Sequence, residues 1–309
     1  MRQQTLNHDV IAPVDAVHEL PRVRRIHFSD LKDALRLGIE DFNAMPTHAL
    51  FLGLIYAVIG LALFRLAFGY DVFPLVYPVA AGFAILGPFA AVGLYELSRR
   101  REMGRDTFWT HAFDVRHSPS FKSILALGGM LLLLFLIWIS IAHSMYLSRF
   151  GYGSHATLGA FLSDVVNTAE GRDLFWRGNL IGLGFAVLAL MVSVVSFPLL
   201  LDRNVGVASA VSTSVRAVLK NPVEMFTWGL IVALSLFIGA LPLLFGLAVV
   251  FPVLGHATWH LYRKAVVADT RPRPEFEPRQ RLPRYGAQFP ASLFVGSSVR
   301  DDDEDGVQR

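Results

Sequence analysis

The chain has 309 residues, of which 53% are hydrophobic, 17% charged and none cysteine. A soluble domain carries about 25% charged residues, and here the shortfall is gathered into five uncharged runs at 42–64, 72–95, 123–148, 178–201 and 225–262. About 20 apolar residues cross a ~30 Å hydrocarbon core as helix, so the composition excludes a soluble enzyme. The missing thiols exclude disulfides, iron–sulfur clusters, cysteine nucleophiles and thiolate zinc sites, and a net charge of +3 argues for no nucleic-acid partner.

Residues 1–28 form a polar N-terminal tail with Pro13 and Pro21. It lacks the basic start and early apolar stretch of a signal peptide, so the first span serves as the insertion signal. The segment 29–45 then reads as an amphipathic helix ending before Pro46. Ser29 is its expected N-cap, and Leu31, Ala34, Leu35, Gly38 and Phe42 share one face. The residue before a proline is pushed out of helical geometry, so the chain is expected to turn into the bilayer at 46. Span one follows at 42–64, with Arg65 snorkelling to headgroups beyond it.

Span two, 72–95, carries Pro88 and ends in Glu96, Arg99 and Arg100. Glu96 can pair with these arginines at i+3 and i+4. The stretch Gly87-Pro88-Phe89-Ala90-Ala91-Val92-Gly93-Leu94-Tyr95-Glu96-Leu97-Ser98-Arg99-Arg100-Arg101-Glu102 resembles the signature of the domain of unknown function 2189 family of predicted bacterial integral membrane proteins. Val23-Arg24-Arg25-Ile26 and Asp33-Ala34-Leu35-Arg36-Leu37-Gly38 are similar to the segment that leads into it. The resemblance covers roughly 23–266 and implies a polytopic membrane protein without naming an activity. Some members carry the label of cytochrome c oxidase subunit I. Such a subunit holds its metals on several histidines inside its spans, and this chain places few of its 10 histidines there, among them His143, His256 and His260.

A second amphipathic segment, 107–118, precedes Pro119, with Phe108, Trp109, Ala112 and Phe113 on one face. Span three, 123–148, contains His143 near its far end. The loop 149–177 is near neutral, and span four, 178–201, carries Pro198. A third amphipathic segment, 207–221, precedes Pro222, with Val207, Val211, Val215 and Val218 on one face. Glu224, just inside the fifth span, is expected to pair with Lys220. As one helix the 38-residue run 225–262 would be ~57 Å long. Gly239-Ala240-Leu241-Pro242 near its middle breaks it, because an interior proline removes a hydrogen bond and clashes with the preceding turn. Two spans, roughly 224–240 and 243–262, bring the total to six.

The expected fold is therefore an all-α, six-span inner-membrane bundle over 29–266, with three interfacial elbow helices and a possible threefold hairpin repeat. With the N-terminus in the cytoplasm, 24 of the 28 Lys and Arg fall on the cytoplasmic side; the remaining four are Arg65, Arg149, Arg172 and Arg177. Basic residues favour that side, so both termini are placed inside. The segment 267–309 is proline-rich and ends in the acidic block 301–305, which reads as a disordered cytoplasmic tail.

Ionisable groups at membrane depth are costly and mark function. His256 and His260 share a helix face at i, i+4 and are the candidate metal ligands, with Glu96, His111 or His117 as possible third partners. His143 and Glu224 complete the suspect set. No catalytic residue and no cofactor is predicted; a metal or haem is the weaker alternative. No nucleotide loop, nucleophile elbow or HExxH motif occurs, which leans away from an enzyme. The leading reading is a structural or accessory membrane protein whose partners are the bilayer, other membrane subunits or a second copy. The alternatives are a small-solute transporter with a path lined by Ser193, Ser196 and Ser235, and a redox subunit resting on the histidines.

Overall fold

The computed structural model describes residues 20–45, 73–151, 158–242 and 244–269, with the single positions 58 and 65. Every described element is helical, apart from one antiparallel bridge between Val23 and Val266. The first expected span and the acidic tail lie outside the described residues.

Helix α1 (Phe28–Ala44) is the first elbow. Its N-cap is His27, not Ser29: the Asp30 carboxylate accepts the His27 amide at 2.9 Å, satisfying an end group with no helical partner. Leu31, Ala34 and Gly38 are buried as the periodicity predicts, and Asp41 is buried with them.

Helices α2 (Phe73–Ala90) and α3 (Val92–Glu102) form one column with a break at Ala91. Pro88 has no amide for the carbonyl four residues back, which weakens the helix at that point. Beyond the break the sequence changes from apolar to charged, yet α3 is buried almost throughout.

The second elbow is a 3-10 helix, Trp109–His117, not an amphipathic α-helix. Three residues per turn put Ala112 and Val115 together on the buried face. That rotation leaves Phe108 and Phe113 exposed, contrary to the expected face.

Helix α4 (Phe121–Phe150) has 30 residues, ~45 Å of helix. The segment after it contains α5 (Leu158–Asn167), where the sequence pattern predicts only a loop. Helix α6 (Ala169–Ser193) starts nine residues before the expected span, capped by the Thr168 hydroxyl accepting from Gly171 at 2.9 Å. A Cβ at Gly171 would lie 2.1 Å from the Asp164 carbonyl, so this corner requires glycine. Pro198 again marks a break, and α7 (Ser196–Asp202) follows. The Val195 amide at the break bonds the Ser214 hydroxyl at 3.2 Å.

That serine lies on α8 (Val207–Lys220), the third elbow. Its buried residues are Ala210, Thr213, Ser214, Ala217 and Val218, while Val207, Val211 and Val215 are half-buried flanks. Small residues let the backbone come close, and this outweighs the wider hydrophobic face. Helix α9 (Pro222–Ala240) and helix α10 (Leu247–Ala265) form the antiparallel pair expected from the Pro242 break.

Among the described residues, four helical columns are long and apolar enough to cross a membrane: Leu75–Glu102, Phe121–Phe150, Ala169–Asp202 and Pro222–Ala240. Only 17% to 33% of their apolar windows are buried, so most of their surface is available to lipid. Helix α10 is not among them, because its second half belongs to a polar cluster. Within the apolar part α2 packs on α4 and α4 on α6. Trp138 of α4 donates its indole N–H to the Pro78 carbonyl at 2.8 Å and packs against Gly182. Gly82, Gly128 and Gly182 likewise allow close packing, whereas Gly129 and Gly184 face open space.

Candidate functional site

The charged ends of α3, α7 and α10 meet the three elbows on one face of the bundle. Together they form a compact head held by three linked polar networks.

The first network centres on Asp41. Its carboxylate accepts from the Ser98 hydroxyl at 2.5 Å and from His260 Nε2 at 2.9 Å, and forms an ion pair with Arg101. The His256 Nδ1 lies 2.7 Å from Ser98 Oγ and 3.9 Å from Asp41. An ionised carboxylate can only accept, so the serine proton points to Asp41 and its oxygen accepts from His256 Nδ1–H. Burial alone would raise the Asp41 carboxyl; the hydrogen bonds from His260 and Ser98 and the nearby imidazoles outweigh it and hold the group below its ordinary value.

The second network runs from α3 to the 3-10 helix. Glu96 and Arg99 are both fully buried and form a bidentate pair at 2.7 and 3.0 Å. Two parallel charge-assisted bonds of this kind are among the strongest polar contacts available to a protein. Arg100 reaches the Asp106 carbonyl at 2.7 Å and Asp114 at 3.5 Å. His111 joins Asp114 through Nδ1 at 2.6 Å and Asp106 through Nε2 at 3.1 Å. The His111 bond also holds the exposed Asp106 carboxyl below its ordinary range.

The third network ties α10 to α7 and α3. Tyr262 donates to Asp202 at 2.6 Å, and Arg263 bridges Asp202 at 3.4 Å to Glu102 at 3.1 Å. The Trp259 indole donates to the same glutamate at 3.1 Å. The N-terminal segment closes the head. Buried Asn221 accepts the Ile26 amide at 2.9 Å and donates to the Arg24 carbonyl at 3.0 Å. Arg24 caps the end of α10 by donating to the Lys264 carbonyl at 2.9 Å, where a cation also complements the helix dipole.

The suspect residues are therefore distributed unevenly. His256 and His260 converge on Asp41, while Glu96 faces Arg99 and the 3-10 helix, and His111 pairs with aspartates. Among the described residues, no group of three His, Asp or Glu is arranged to hold a metal ion. His143 is exposed on α4. Glu224 is half-buried, and Lys220 donates to the Val23 carbonyl at 2.8 Å rather than pairing with it. Asp41, Ser98, Asp202 and Asn221 were not singled out from sequence. Asp41 gave a usable signal, since it falls ten residues after Leu31 on the same helix face as Ala34 and Gly38.

An apolar cavity of about 260 Å³ lies between α2, α6, α9 and α10, bounded by Ala84, Pro88, Ala186, Gly229, Ala233 and Gly255. Ser193 at its edge donates to its own helix at Ala189, 2.6 Å away, and Ser196 does the same to Val192 at 2.5 Å. These hydroxyls are turned back to backbone carbonyls.

Residues 76–202 match the family described as predicted integral membrane protein (DUF2189). The match includes the 87–102 signature and stops short of 23–26 and 33–38. No curated protein and no solved structure matches the chain.

Proposed function

We propose that this chain, a member of the predicted integral membrane protein family (DUF2189), is a non-enzymatic structural or accessory protein of the bacterial inner membrane. It crosses the bilayer six times as three hairpins, each introduced by an interfacial elbow, with both termini and the charged head in the cytoplasm. The observation that carries this reading is the closure of the head: Asp41, Glu96 and Asp202 are each buried and each engaged by side chains of the same chain. Buried ionisable groups paired in this way help to specify an arrangement of helices. The apolar walls of the cavity support the same reading over a path for a polar solute.

The test pairs two measurements. Affinity purification from native membrane in mild detergent is expected to retain a membrane partner in fixed stoichiometry. Reconstituted liposomes are expected to release polar solutes no faster than empty ones. Solute flux that depends on the protein would overturn the accessory reading and favour a transporter.

A second reading is a metal held by the His256–His260 pair at the base of the head, which would need a further ligand from outside the described residues. Coordination through His256 Nδ1 requires the Ser98 hydroxyl to move aside, since it occupies that nitrogen at 2.7 Å. Stoichiometric metal by mass spectrometry, lost in His256→Ala, would support it. A protein without metal, or with none lost in that variant, rules it out, and a spectrum without a Soret band removes the haem form.

A further inference from the structure

We propose that the cleft between the N-terminal segment and α8 binds the phosphate headgroup of an anionic phospholipid. The cleft is open, about 570 Å³ in volume, and is lined by Arg22, Val23, Arg216, Leu219 and Lys220. Three of these five side chains are cationic. Five other cations of the head are neutralised: Arg99 by Glu96, Arg100 by Asp114, Arg101 by Asp41, Arg263 by Glu102 and Asp202, Lys264 by Asp33. Among the described residues, Arg216 and Lys220 have no carboxylate partner. Among the described residues the charges of Arg216 and Lys220 are thus not offset by a carboxylate, and an anion placed between them gains accordingly.

The two cations are also fixed in place. Arg216 donates through Nη2 to the Pro21 carbonyl at 3.2 Å and to Thr213 Oγ1 at 3.3 Å, and through Nε to the Ser212 carbonyl at 3.4 Å. These bonds leave its Nη1 donors for a ligand. Lys220 spends one of its three ammonium protons on the Val23 carbonyl. Positioned donors lose little side-chain freedom on binding, so the site is preorganised.

An apolar stripe selects a lipid over a soluble phosphate. Leu219 is 65% exposed beside the cleft. Val223, Phe226, Leu230, Leu234 and Phe237 continue along α9, all exposed and spaced three or four residues apart. The stripe runs from the headgroup level of the cleft along a helix long enough to span the hydrocarbon core. The phosphate would sit on Arg216 and Lys220 with an acyl chain lying on Phe226 and Leu230.

The experiment uses the full-length protein, delipidated in detergent and offered dioleoylphosphatidylglycerol or dioleoylphosphatidylcholine in mixed micelles, with bound lipid counted by native mass spectrometry. The glycerol lipid is expected to be retained in preference to the choline lipid. Arg216→Gln with Lys220→Gln should weaken that retention on the order of 30-fold, about five-fold for each cation removed near a membrane surface. Arg216→Lys with Lys220→Arg should retain it. Equal retention of both lipids, or undiminished retention by a folded glutamine variant, overturns the proposal. So does displacement of the lipid by millimolar inorganic phosphate, which would make this a site for free anions. If the glutamine variant does not fold, the preference of the parent protein and its retention in the swapped variant decide the matter: loss in a monodisperse swapped variant also overturns it.

Discussion

Gly38 is where α1 crosses α10, and a methyl group there tests how tightly the head is built. A Cβ on Gly38 would stand 2.7 Å from both the Cβ and the backbone nitrogen of Ala257, and 2.8 Å from its Cα. Carbon atoms pack best at about 3.5–4.0 Å, so the two helices must part by ~1 Å; neither backbone nor a Cβ can swing aside. One turn farther along, His260 of α10 bonds Asp41 of α1 at 2.9 Å. A parting of ~1 Å carries that contact past the ~3.2 Å limit of a hydrogen bond. Overpacking costs ~1–3 kcal/mol, and weakening a bond to a charged group costs ~1.5–3 kcal/mol more. Alanine returns about 1 kcal/mol over glycine in a helix, leaving a net loss of ~3 kcal/mol by these magnitudes. Gly129→Ala on α4 is the control, because nothing lies within 4 Å of its Cβ position. It keeps the propensity gain without the clash. The two variants should differ by ~4 kcal/mol, on the order of 10 °C in Tm for a chain of this size. Thermal unfolding in detergent, followed by tryptophan fluorescence, measures this. Gly38→Ala melting at or above Gly129→Ala would refute the close approach of α1 and α10.

Asp41 should make the head acid-sensitive. Its folded-state pKa lies below the ordinary value of 3.8, so its contribution to stability is complete above that value and is lost as pH falls through the lowered one. Asp41→Asn should melt lower at neutral pH and show a shallower loss of Tm on acidification; an unchanged slope contradicts this. Glu96→Ala strands a fully buried Arg99 and should cost ~3–5 kcal/mol, whereas Glu96→Leu with Arg99→Met should recover most of that, both read as Tm. Equal damage from the single and double changes would show that the pair itself, not the stranded charge, carries the stability. Tyr262→Phe removes the donor to Asp202 and should cost ~1.5–3 kcal/mol; a Tm within 1 °C of the parent argues against that bond. Topology is accessible because the chain has no cysteine. Ser163→Cys, on exposed α5, should label from outside intact spheroplasts, and Lys32→Cys, exposed on α1, only after permeabilisation. The reverse pattern would overturn the orientation. Ser118 suits this purpose poorly, since it is buried and would resist labelling from either side.

Four of the six expected spans correspond to long apolar helices, and they were legible because their signal is long and one-dimensional: an uncharged stretch needs no partner to be recognised. Prolines marked real boundaries too, at Ala91 after Pro88, at Val194–Val195 before Pro198, and in the turn after Ala240. The head was not legible, because hydropathy treats a charge at the end of a span as a charge in water. Arg99 looked like a surface arginine beside Glu96; three-dimensional packing of the 3-10 helix and α10 around α3 buries both. Likewise the hydrophobic stripe of α8 pointed at its valines, while the contact uses Ala210, Ser214 and Ala217. Residue size, invisible to a hydrophobicity pattern, decided which face could come close.

The division between apolar bundle and polar head follows from the solvent. In a bilayer, an apolar side chain gains little by leaving lipid for another helix, so the exposed leucines of α4 and α9 cannot by themselves fix which helices are neighbours. Directional contacts can, and they concentrate on α10. His256 and His260 tie it to α3 and α1, Trp259 and Arg263 to Glu102 of α3, and Tyr262 to Asp202 of α7. A helix whose second half binds three others must forgo the uniform hydropathy of an ordinary span, which is why α10 falls outside the apolar columns. Its composition is the consequence of that organising position. Substitutions on α10 should therefore disturb α1, α3 and α7 together, whereas substitutions on the lipid-facing side of α4 should remain local.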